Sequence, residues 1–338
     1  MRAFVITGPG AGAVIDVPEP VATPGQVIVE VDRVGVCGTD MEIYRGDMTY
    51  LVSGDAAFPM RIGHEWCGRV VTVGGELDAS WMGRRVTGDT MLGCRTCSRC
   101  LNGRQHLCEE RYEIGIRHGW PGALAERLVV PTSSLVALPE DIDPALGALV
   151  EPGGNALRSV RGANLHPGES VLVIGAGTIG LLVAQIAVAR GAEVHIVGRS
   201  DRSLDFALSL GFTHTTTLAE LDRARTFHAV VDASNSKESP ALAVDIVEPG
   251  GRVVLVGLAG EPSLIDSRDL AIKDVTVVGV LSGSGGLEET AELYATGAVD
   301  PRRLVAATVG LDATASILAG ERPASAGPGP KFHIDPRR

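Results

Sequence analysis

The feature that most constrains the fold is the alternation of strand-like and helix-like segments between residues 171 and 278. Short runs such as residues 171–174 and 229–232 are apolar almost throughout, and helix-forming stretches separate them. Strands that are apolar on both sides are buried on both faces of a sheet. When helices alternate with such strands, each helix connects two strands that run parallel to each other. This region therefore predicts a doubly wound parallel sheet covered by helices.

The first strand of this region runs into a glycine-rich turn, Gly-Ala-Gly-Thr-Ile-Gly, at residues 175–180. The pattern is weak alone, but here it follows an apolar strand and opens a helix, as a dinucleotide-binding turn does. Its glycines allow a tight turn, approach of the backbone to a pyrophosphate, and close packing of helix on strand. A plain glycine turn is the alternative. The residues predicted to hold the phosphates at the helix N-terminus are Gly175, Gly177, Thr178, Ile179 and Gly180.

The end of the second strand indicates which nicotinamide cofactor the turn would serve. An acidic residue about 20 residues after the glycines binds the ribose 2′-hydroxyl of NAD. Gly198 occupies that place here, and Arg199, Ser200 and Arg202 surround it. Guanidinium groups make bidentate contacts to phosphate, so we expect NADP(H) in preference to NAD(H). The alternative is a solvated turn in which Asp201 serves NAD.

Four cysteines are clustered in one short segment, at Cys94, Cys97, Cys100 and Cys108. Four thiolates at this spacing can close a tetrahedron around one zinc ion and leave no position for substrate, which makes such a site structural. The usual short-spaced cysteine runs of iron–sulfur clusters differ from this one. The spacing therefore predicts a structural zinc, with unliganded thiols as the alternative.

A second group of metal-binding residue types is spread along the chain, in the segments Cys37-Gly-Thr-Asp40, Gly63-His-Glu65 and Glu151-Pro152. A thiolate, an imidazole and carboxylates are enough to hold a catalytic zinc with one open position. Each residue alone is more often part of a core than a ligand, and the spacing does not prove that they converge. Cys67 belongs to neither group, and we interpret it as a core residue.

Composition limits the classes of function. A chain of 338 residues suggests about two domains, and its first 150 residues, with short strands between Gly and Pro, predict a mostly β domain. The net charge of −11 opposes binding to nucleic acid or to an anionic membrane. No run approaches the roughly 18 apolar residues of a membrane span. The N-terminus lacks the apolar region of a secretory signal, so we expect a cytoplasmic protein.

The order of CGTD, GHE, the four-cysteine segment, the Glu-Pro pair and GAGTIG resembles the zinc-dependent medium-chain dehydrogenase/reductase (alcohol dehydrogenase) superfamily. The resemblance implies an α/β protein with a GroES-like, mostly β catalytic domain and a Rossmann domain. Residues 1–152 and 286–338 would form the catalytic domain with both zinc sites. Residues 153–285 would form the dinucleotide-binding domain.

The resemblance also implies roles for individual residues. Cys37, His64 and Glu151 would hold the catalytic zinc, and Glu65 would enter its shell or exchange with water. Asp40 would hydrogen-bond His64 on the side of the imidazole away from the zinc and so orient the ring. The Thr39 hydroxyl would carry the substrate proton away from the site. The residues implied beside the nicotinamide ring are Leu258, Val280 and Leu281.

The glutamate at residue 151 resembles the acid found at this position in the polyol, sugar and threonine dehydrogenase branch. The liver-type alcohol dehydrogenases have Cys there. Two departures leave the substrate open: Met41-Glu-Ile-Tyr44 replaces a usual His-containing run, and Gly153-Gly154 replaces the usual residues after Glu-Pro. By resemblance we also expect a homodimer or homotetramer.

The predicted function is a zinc-dependent oxidoreductase that transfers a hydride between NADP(H) and a secondary alcohol or ketone of a polyol, sugar or amino alcohol. The alternatives are a biosynthetic ketone reductase acting on an aminocyclitol or polyketide intermediate, an NAD-dependent sorbitol- or threonine-type dehydrogenase, and a non-catalytic nucleotide-binding sensor.

Overall fold

The chain divides into two units in a computed structural model that describes residues 1–338. Unit 1 comprises Met1–Glu151, Leu287–Ala295 and Leu304–Arg338, and unit 2 comprises Pro152–Gly286 and Thr296–Arg303. None of the helices combines the length and the apolar character that crossing a membrane requires.

Short strands dominate the first part of unit 1, where Gly and Pro interrupt the sequence. The strands are β1 (Arg2–Gly8), β2 (Ala11–Asp16), β3 (Gln26–Val36), β4 (Glu65–Val73), β5 (Arg85–Gly88), β6 (Met91–Leu92), β7 (Tyr112–Glu113), β8 (Arg127–Pro131) and β9 (Leu135–Ala137). The helices are α1 (Gly38–Arg45), α2 (Thr49–Ser53), α3 (Ser98–Leu101) and α4 (Pro144–Ala148), with 3-10 turns at Glu76–Trp81, Gln105–Leu107 and Thr132–Ser134.

Helix α5 (Val150–Ala163) begins in unit 1 and leads into unit 2, where strands and helices alternate. The strands are β10 (Ser170–Ile174), β11 (Glu193–Gly198), β12 (His214–Thr217), β13 (Phe227–Asp232), β14 (Val247–Leu255) and β15 (Thr276–Gly279). The helices between them are α6 (Thr178–Ala189), α7 (Asp201–Ser209), α8 (Ser239–Ile246) and α9 (Ser267–Ile272). The chain then returns through α10 (Leu287–Ala295), the 3-10 turn Arg302–Leu304, β16 (Val305–Gly310), the 3-10 turn Leu311–Ala313, α11 (Thr314–Leu318) and β17 (Lys331–Asp335).

The six strands of unit 2 form one sheet in the order β12-β11-β10-β13-β14-β15, and every neighbouring pair is parallel. Counted from β10, this is the 3-2-1-4-5-6 order of doubly wound dinucleotide-binding sheets. The central strands are apolar because both of their faces are covered, as Leu172, Val230 and Val253 show by being fully buried. The predicted doubly wound parallel sheet is confirmed.

Unit 1 is built around a seven-stranded sheet in the order β16-β17-β3-β4-β5-β9, with β8 also pairing with β3. Strand β3 runs antiparallel to both β4 and β17, with Gly35 opposite Glu65 and Val36 opposite Phe332. The end of β3 therefore meets the first residues of β4 and β17. Packing under this sheet includes Trp66, which is fully buried, so the backbone at this meeting point is firmly held.

Candidate catalytic and cofactor sites

The meeting point of β3, β4 and β17 gathers three metal-binding side chains. Cys37 follows β3 and precedes α1, while His64 and Glu65 stand at the start of β4. Their ligand atoms, a thiol sulfur, an imidazole nitrogen and a carboxylate oxygen, all lie within 4.8 Å of one another. This is a donor set that zinc binds, and three protein ligands leave a fourth position open. The residues therefore fit a catalytic zinc.

Asp40 organises this group from the first turn of α1. Its carboxylate lies 3.4 Å from His64 Nδ1 and accepts hydrogen bonds from the backbone N–H groups of Cys37 (2.9 Å) and Gly63 (3.2 Å). Burial acts to lower the pKa of His64, but Asp40 and Cys37 outweigh it and raise the pKa. The pocket is thus electrostatically suited to a cation, and Asp40 is placed to orient the imidazole through Nδ1.

Lys331 is a residue of this site that the sequence reasoning missed. Its ammonium donates to both carboxylate oxygens of Glu65, at 2.8 and 2.7 Å, and to the carbonyl of Val36 at 2.9 Å. Both side chains are buried. Gly35 makes room for the pair, because a Cβ at that position would overlap Glu65 Oε2. The only sequence signal was a lysine at the start of the closing strand, which reads Lys-Phe-His-Ile-Asp.

Glu151 lies outside the group of three, although it is buried and close enough to respond to it. Its pKa is raised to about 7, chiefly by burial; His64 and Lys331 act to lower the pKa, and Glu65 and Asp89 act to raise it. Thr39 follows Cys37 by two residues on α1, and its hydroxyl makes no hydrogen bond. The structure thus gathers Cys37, His64 and Glu65 more tightly than it gathers Glu151.

The four clustered cysteines converge in a lobe between β6 and β7. Their sulfur atoms all lie within 4.8 Å of one another, and those of Cys94 and Cys100 are 4.0 Å apart. Four sulfurs bound to one zinc at 2.3 Å would be about 3.8 Å apart. None of the six cysteines forms a disulfide. The lobe therefore fits the closed, all-sulfur arrangement of a structural zinc.

Hydrogen bonds to sulfur prepare this lobe for an ion. The sulfur of Cys94 accepts from the Thr96 hydroxyl at 3.5 Å and from the backbone N–H of Cys97 at 3.4 Å. These bonds, led by the one from the Thr96 hydroxyl, lower the pKa of Cys94 to about 6. Burial acts in the opposite sense on Cys100 and raises its pKa to about 12. A bound cation would stabilise all four thiolates, since the thiolate is the form that ligates metal.

The glycine-rich turn lies between β10 and α6. Strand β10 is the point at which the strand order of the sheet reverses, because β11 and β12 lie on one side of it and β13, β14 and β15 on the other. Gly175 has a φ of 111°, which an L side chain rarely adopts. A Cβ on Gly180 would overlap the carbonyl oxygen of Gly175, whereas Gly177, the N-cap of α6, faces open space. The turn thus leaves an approach to the helix N-terminus through residues 175–180 that a pyrophosphate can use.

The residues predicted around a 2′-phosphate sit where β11 gives way to α7. Gly198 ends β11, and a Cβ there would lie 2.5 Å from Leu204. Arg199 and Arg202 are exposed, and neither forms an ion pair or a hydrogen bond. Ser200 is exposed as the N-cap of α7, and its hydroxyl accepts from the backbone N–H of Ser203 at 3.4 Å. Two free guanidinium groups are therefore available beside this strand end.

The residues expected beside a nicotinamide ring line a groove at the carboxyl ends of β13, β14 and β15. The groove has a volume of about 530 Å³ and is mostly apolar. Leu258, Val280 and Leu281 all line it, and Leu258 is 81% exposed. In doubly wound sheets ligands bind outside the carboxyl ends of the strands, so the groove lies on the expected edge.

These features define the class of a zinc-type oxidoreductase with a nucleotide-binding sheet, and comparisons with known proteins agree. The family model for the alcohol dehydrogenase GroES-like domain matches residues 23–140, and the model for the zinc-binding dehydrogenase domain matches residues 178–296. L-threonine 3-dehydrogenase of Marinomonas sp. (strain MWYL1) is 32% identical over 275 residues, which cover 78% of this chain and 79% of that relative.

Two solved structures are similar over nearly the whole chain. A candidate zinc-binding dehydrogenase from Sinorhizobium meliloti 1021, bound to NADP, has a TM-score of 0.89 and 28% identity, with 99% of each chain covered. Galactitol-1-phosphate dehydrogenase from Escherichia coli has a TM-score of 0.87 and 27% identity, with 99% of this chain and 100% of that chain covered. The chain belongs to the zinc-dependent medium-chain dehydrogenase/reductase (alcohol dehydrogenase) superfamily, which confirms the resemblance and the enzyme class that the sequence predicts.

Proposed function

We propose that the chain is a zinc-dependent dehydrogenase that interconverts a secondary alcohol and a ketone, on a polyol, sugar or amino alcohol, with NADP(H) as the preferred cofactor. The observation that carries this proposal is the buried group of Cys37, His64 and Glu65, whose ligand atoms lie within 4.8 Å of one another. A three-ligand set with an open position is the form of a catalytic rather than a structural zinc site.

Each residue of the proposed site has a distinct task. Cys37, His64 and one carboxylate, that of Glu65 or of Glu151, would hold the zinc and leave its fourth position open, and Asp40 would fix the ring of His64. When bound, zinc would act as a Lewis acid that lowers the pKa of the alcohol, and the nicotinamide would exchange the hydride. The Thr39 hydroxyl, which has no other hydrogen-bond partner, would relay the substrate proton away from the reacting oxygen.

The proposed cofactor residues have matching tasks on unit 2. The turn of Gly175, Gly177, Thr178, Ile179 and Gly180 would receive the pyrophosphate, and Leu258, Val280 and Leu281 would lie against the nicotinamide. NADP(H) is favoured because Gly198 supplies no carboxylate for a ribose hydroxyl, while Arg199 and Arg202 are exposed and unpaired. Ser200 would add a hydroxyl donor beside the 2′-phosphate.

The substrate class follows from the acid ligands and from the relatives. A polyhydroxy or amino alcohol offers two neighbouring polar groups to a metal site of this kind, and the similar proteins include a threonine dehydrogenase and a galactitol-1-phosphate dehydrogenase. We propose a substrate with a second polar group next to the reacting carbon. Simple secondary alcohols of equal length are the matched comparison.

The test is a steady-state screen of the zinc-loaded protein with NADP⁺ and with NAD⁺. The panel pairs each vicinal diol or amino alcohol with the mono-alcohol that lacks the second polar group. Higher kcat/KM for the former, with NADP⁺ and abolished by His64→Ala, supports the proposal. Cofactor binding by calorimetry without turnover of any alcohol or ketone would instead indicate the nucleotide-binding sensor.

We also propose that the chain forms a homo-oligomer through the free edge of its parallel sheet. Strand β15 pairs only with β14, and Val277 on it is 39% exposed, with Ile272 and Leu281 nearby in sequence also exposed. An unpaired strand edge is a ready template for another strand. Light scattering coupled to size exclusion should give a dimer or tetramer, and Val277→Lys should shift it toward the monomer; a monomeric wild type would contradict the proposal.

A further inference from the structure

A third group of metal-binding side chains lies on unit 2, at the edge formed by β11 and β12. It consists of Glu193, His195 and His214, whose ligand atoms lie within 4.8 Å of one another. We call it the edge cluster. None of its members belongs to the zinc sites or to the nucleotide turn described above.

The register of the two strands builds the edge cluster. Glu193 and His195 are two residues apart on β11, so they share one face of the sheet. His214 opens the neighbouring strand β12 and stands directly opposite His195 in the parallel pairing. An i, i+2 pair plus one cross-strand neighbour presents three donors from a single face of a rigid sheet.

The side chains of the edge cluster are in direct contact with one another. The rings of His195 and His214 are stacked with their centroids 4.4 Å apart, and His195 Nε2 lies 2.7 Å from Glu193 Oε1. A metal ion would replace the proton that joins this nitrogen and oxygen. Two imidazoles and one carboxylate form a ligand set that zinc uses, with a fourth position left for water.

The cluster also has an outer set of contacts that would support a metal. Arg225 donates to Glu193 Oε1 at 2.8 Å, and its guanidinium stacks over the ring of Phe227. Phe227 in turn packs edge-on against His195, with ring centroids 5.2 Å apart. Carboxylate ligands are commonly hydrogen-bonded from outside, and such partners hold them in position.

The position of the cluster separates it from the cofactor. Glu193 and His214 are the first residues of β11 and β12, whereas the glycine-rich turn follows the carboxyl end of β10, which is parallel to them. The two sites are therefore at opposite ends of the sheet. Half of the Glu193 side chain and the ring of His214 are open to solvent, so an ion can enter directly.

We propose that the edge cluster is a further site for a divalent transition-metal ion, zinc in the first instance, that clamps the short edge strand β12 to β11. Affinity for a site of nitrogen and oxygen donors rises toward nickel and copper, so these ions should bind it as well. Because β12 is only four residues long and lies at the sheet edge, the ion would tie down a strand with few other contacts.

The test compares metal content between matched variants of the zinc-loaded enzyme, dialysed against micromolar free zinc and analysed by mass spectrometry. Wild type should hold about one zinc per chain more than His214→Ala, and Glu193→Gln should lose the same ion. His166→Ala removes an exposed histidine of the same unit with no such neighbours, and it should keep the full content. The comparison is between variants, so it holds whether or not the other two sites are as proposed.

A second readout excludes a purely structural effect of the substitution. Nickel added to protein whose edge cluster has first been freed of zinc by dialysis should raise the Tm of wild type and of His166→Ala but leave that of His214→Ala unchanged, while alcohol turnover of all three stays equal. Equal zinc contents in wild type and His214→Ala, or binding of nickel only at millimolar concentration, would overturn the proposal.

Discussion

The two proposed metal sites of unit 1 differ in what holds their side chains in place. Asp40, His64, Glu65 and Lys331 are each at most 4% exposed, and strands β3, β4 and β17 fix their backbones. The cysteine lobe instead has a four-residue helix, a three-residue turn, an exposed Cys94 and a Leu101 that is 73% exposed. The proposed catalytic group is therefore arranged by the fold, whereas the lobe lacks a core and would depend on a bound ion for its shape.

The largest effect that this contrast predicts is on activity. Cys37→Ala or His64→Ala removes a ligand of the Lewis acid, which supplies several kcal/mol to the reaction, so kcat/KM should fall by about 10³-fold or more. Because the strands hold the backbone, Tm should change little. Cys67→Ala is the control: it removes a buried thiol that belongs to neither metal-binding group, and the variant should stay active. Turnover retained by His64→Ala would disprove the assignment of the catalytic site.

The lobe should respond in the opposite way. Cys100→Ser removes one of four sulfurs from a segment with no core of its own, and loss of a structural metal is among the few changes that cost roughly 4 kcal/mol or more. We expect Tm to fall by about 8 °C or more and the lobe to become sensitive to protease, as limited proteolysis would show. An unchanged Tm combined with lost turnover would show that the two sites have been assigned the wrong way round.

Lys331 sharpens the comparison, because it gives the buried site a counter-charge that the lobe lacks. Removing one partner of a buried ion pair costs about 3–5 kcal/mol, so Lys331→Met should destabilise the zinc-free protein by that amount. Bound zinc partly replaces the missing positive charge, so the loss should be smaller in the zinc-loaded protein. Lys331→Arg keeps the charge and is the control. Denaturant unfolding with and without zinc would show the difference, and equal losses in both states would contradict the argument.

The smallest predicted effect concerns the cofactor. Arg199→Ala removes one charge-assisted contact to a 2′-phosphate, worth about 1.5–3 kcal/mol, so the Kd for NADPH should rise roughly 10- to 100-fold. The Kd for NADH should hardly change, and parallel calorimetric titrations of the two cofactors would measure this. Arg190→Ala, at the C-terminal end of α6 and away from the glycine-rich turn, is the control. Equal weakening for both cofactors would mean that Arg199 does not distinguish them.

Much of unit 2 could be predicted from the sequence because its strands are buried on both faces and read as apolar runs. The apolar runs at residues 171–174 and 229–232 are the central strands β10 and β13. The edge strand β12 was missed, because it reads His-Thr-Thr-Thr and lacks the apolar signal of a central strand. The apolar-run signal was informative only for strands whose two faces are both covered.

The site was predictable as a set of residue types, but its connections were not. Spacing alone brought the four cysteines together, since they lie within one loop. Nothing local in the sequence placed Cys37 beside His64, or Lys331 on Glu65, because these contacts join strands far apart in the chain. Antiparallel pairing of β3 with β4 and β17 creates them, and pairing register is a property of the folded sheet.

The close approach of Gly35 to Glu65 limits which substitutions the two positions can accept. A side chain there would occupy the space of the Glu65 carboxylate, which Lys331 holds by both oxygens and which therefore cannot swing aside. Residue 35 therefore tolerates no side chain for as long as residue 65 is a glutamate. In a randomised library of this protein, substitutions at Gly35 should survive selection only alongside aspartate at position 65, the shorter acid that keeps a negative charge beside Lys331, so the two positions should vary as a pair.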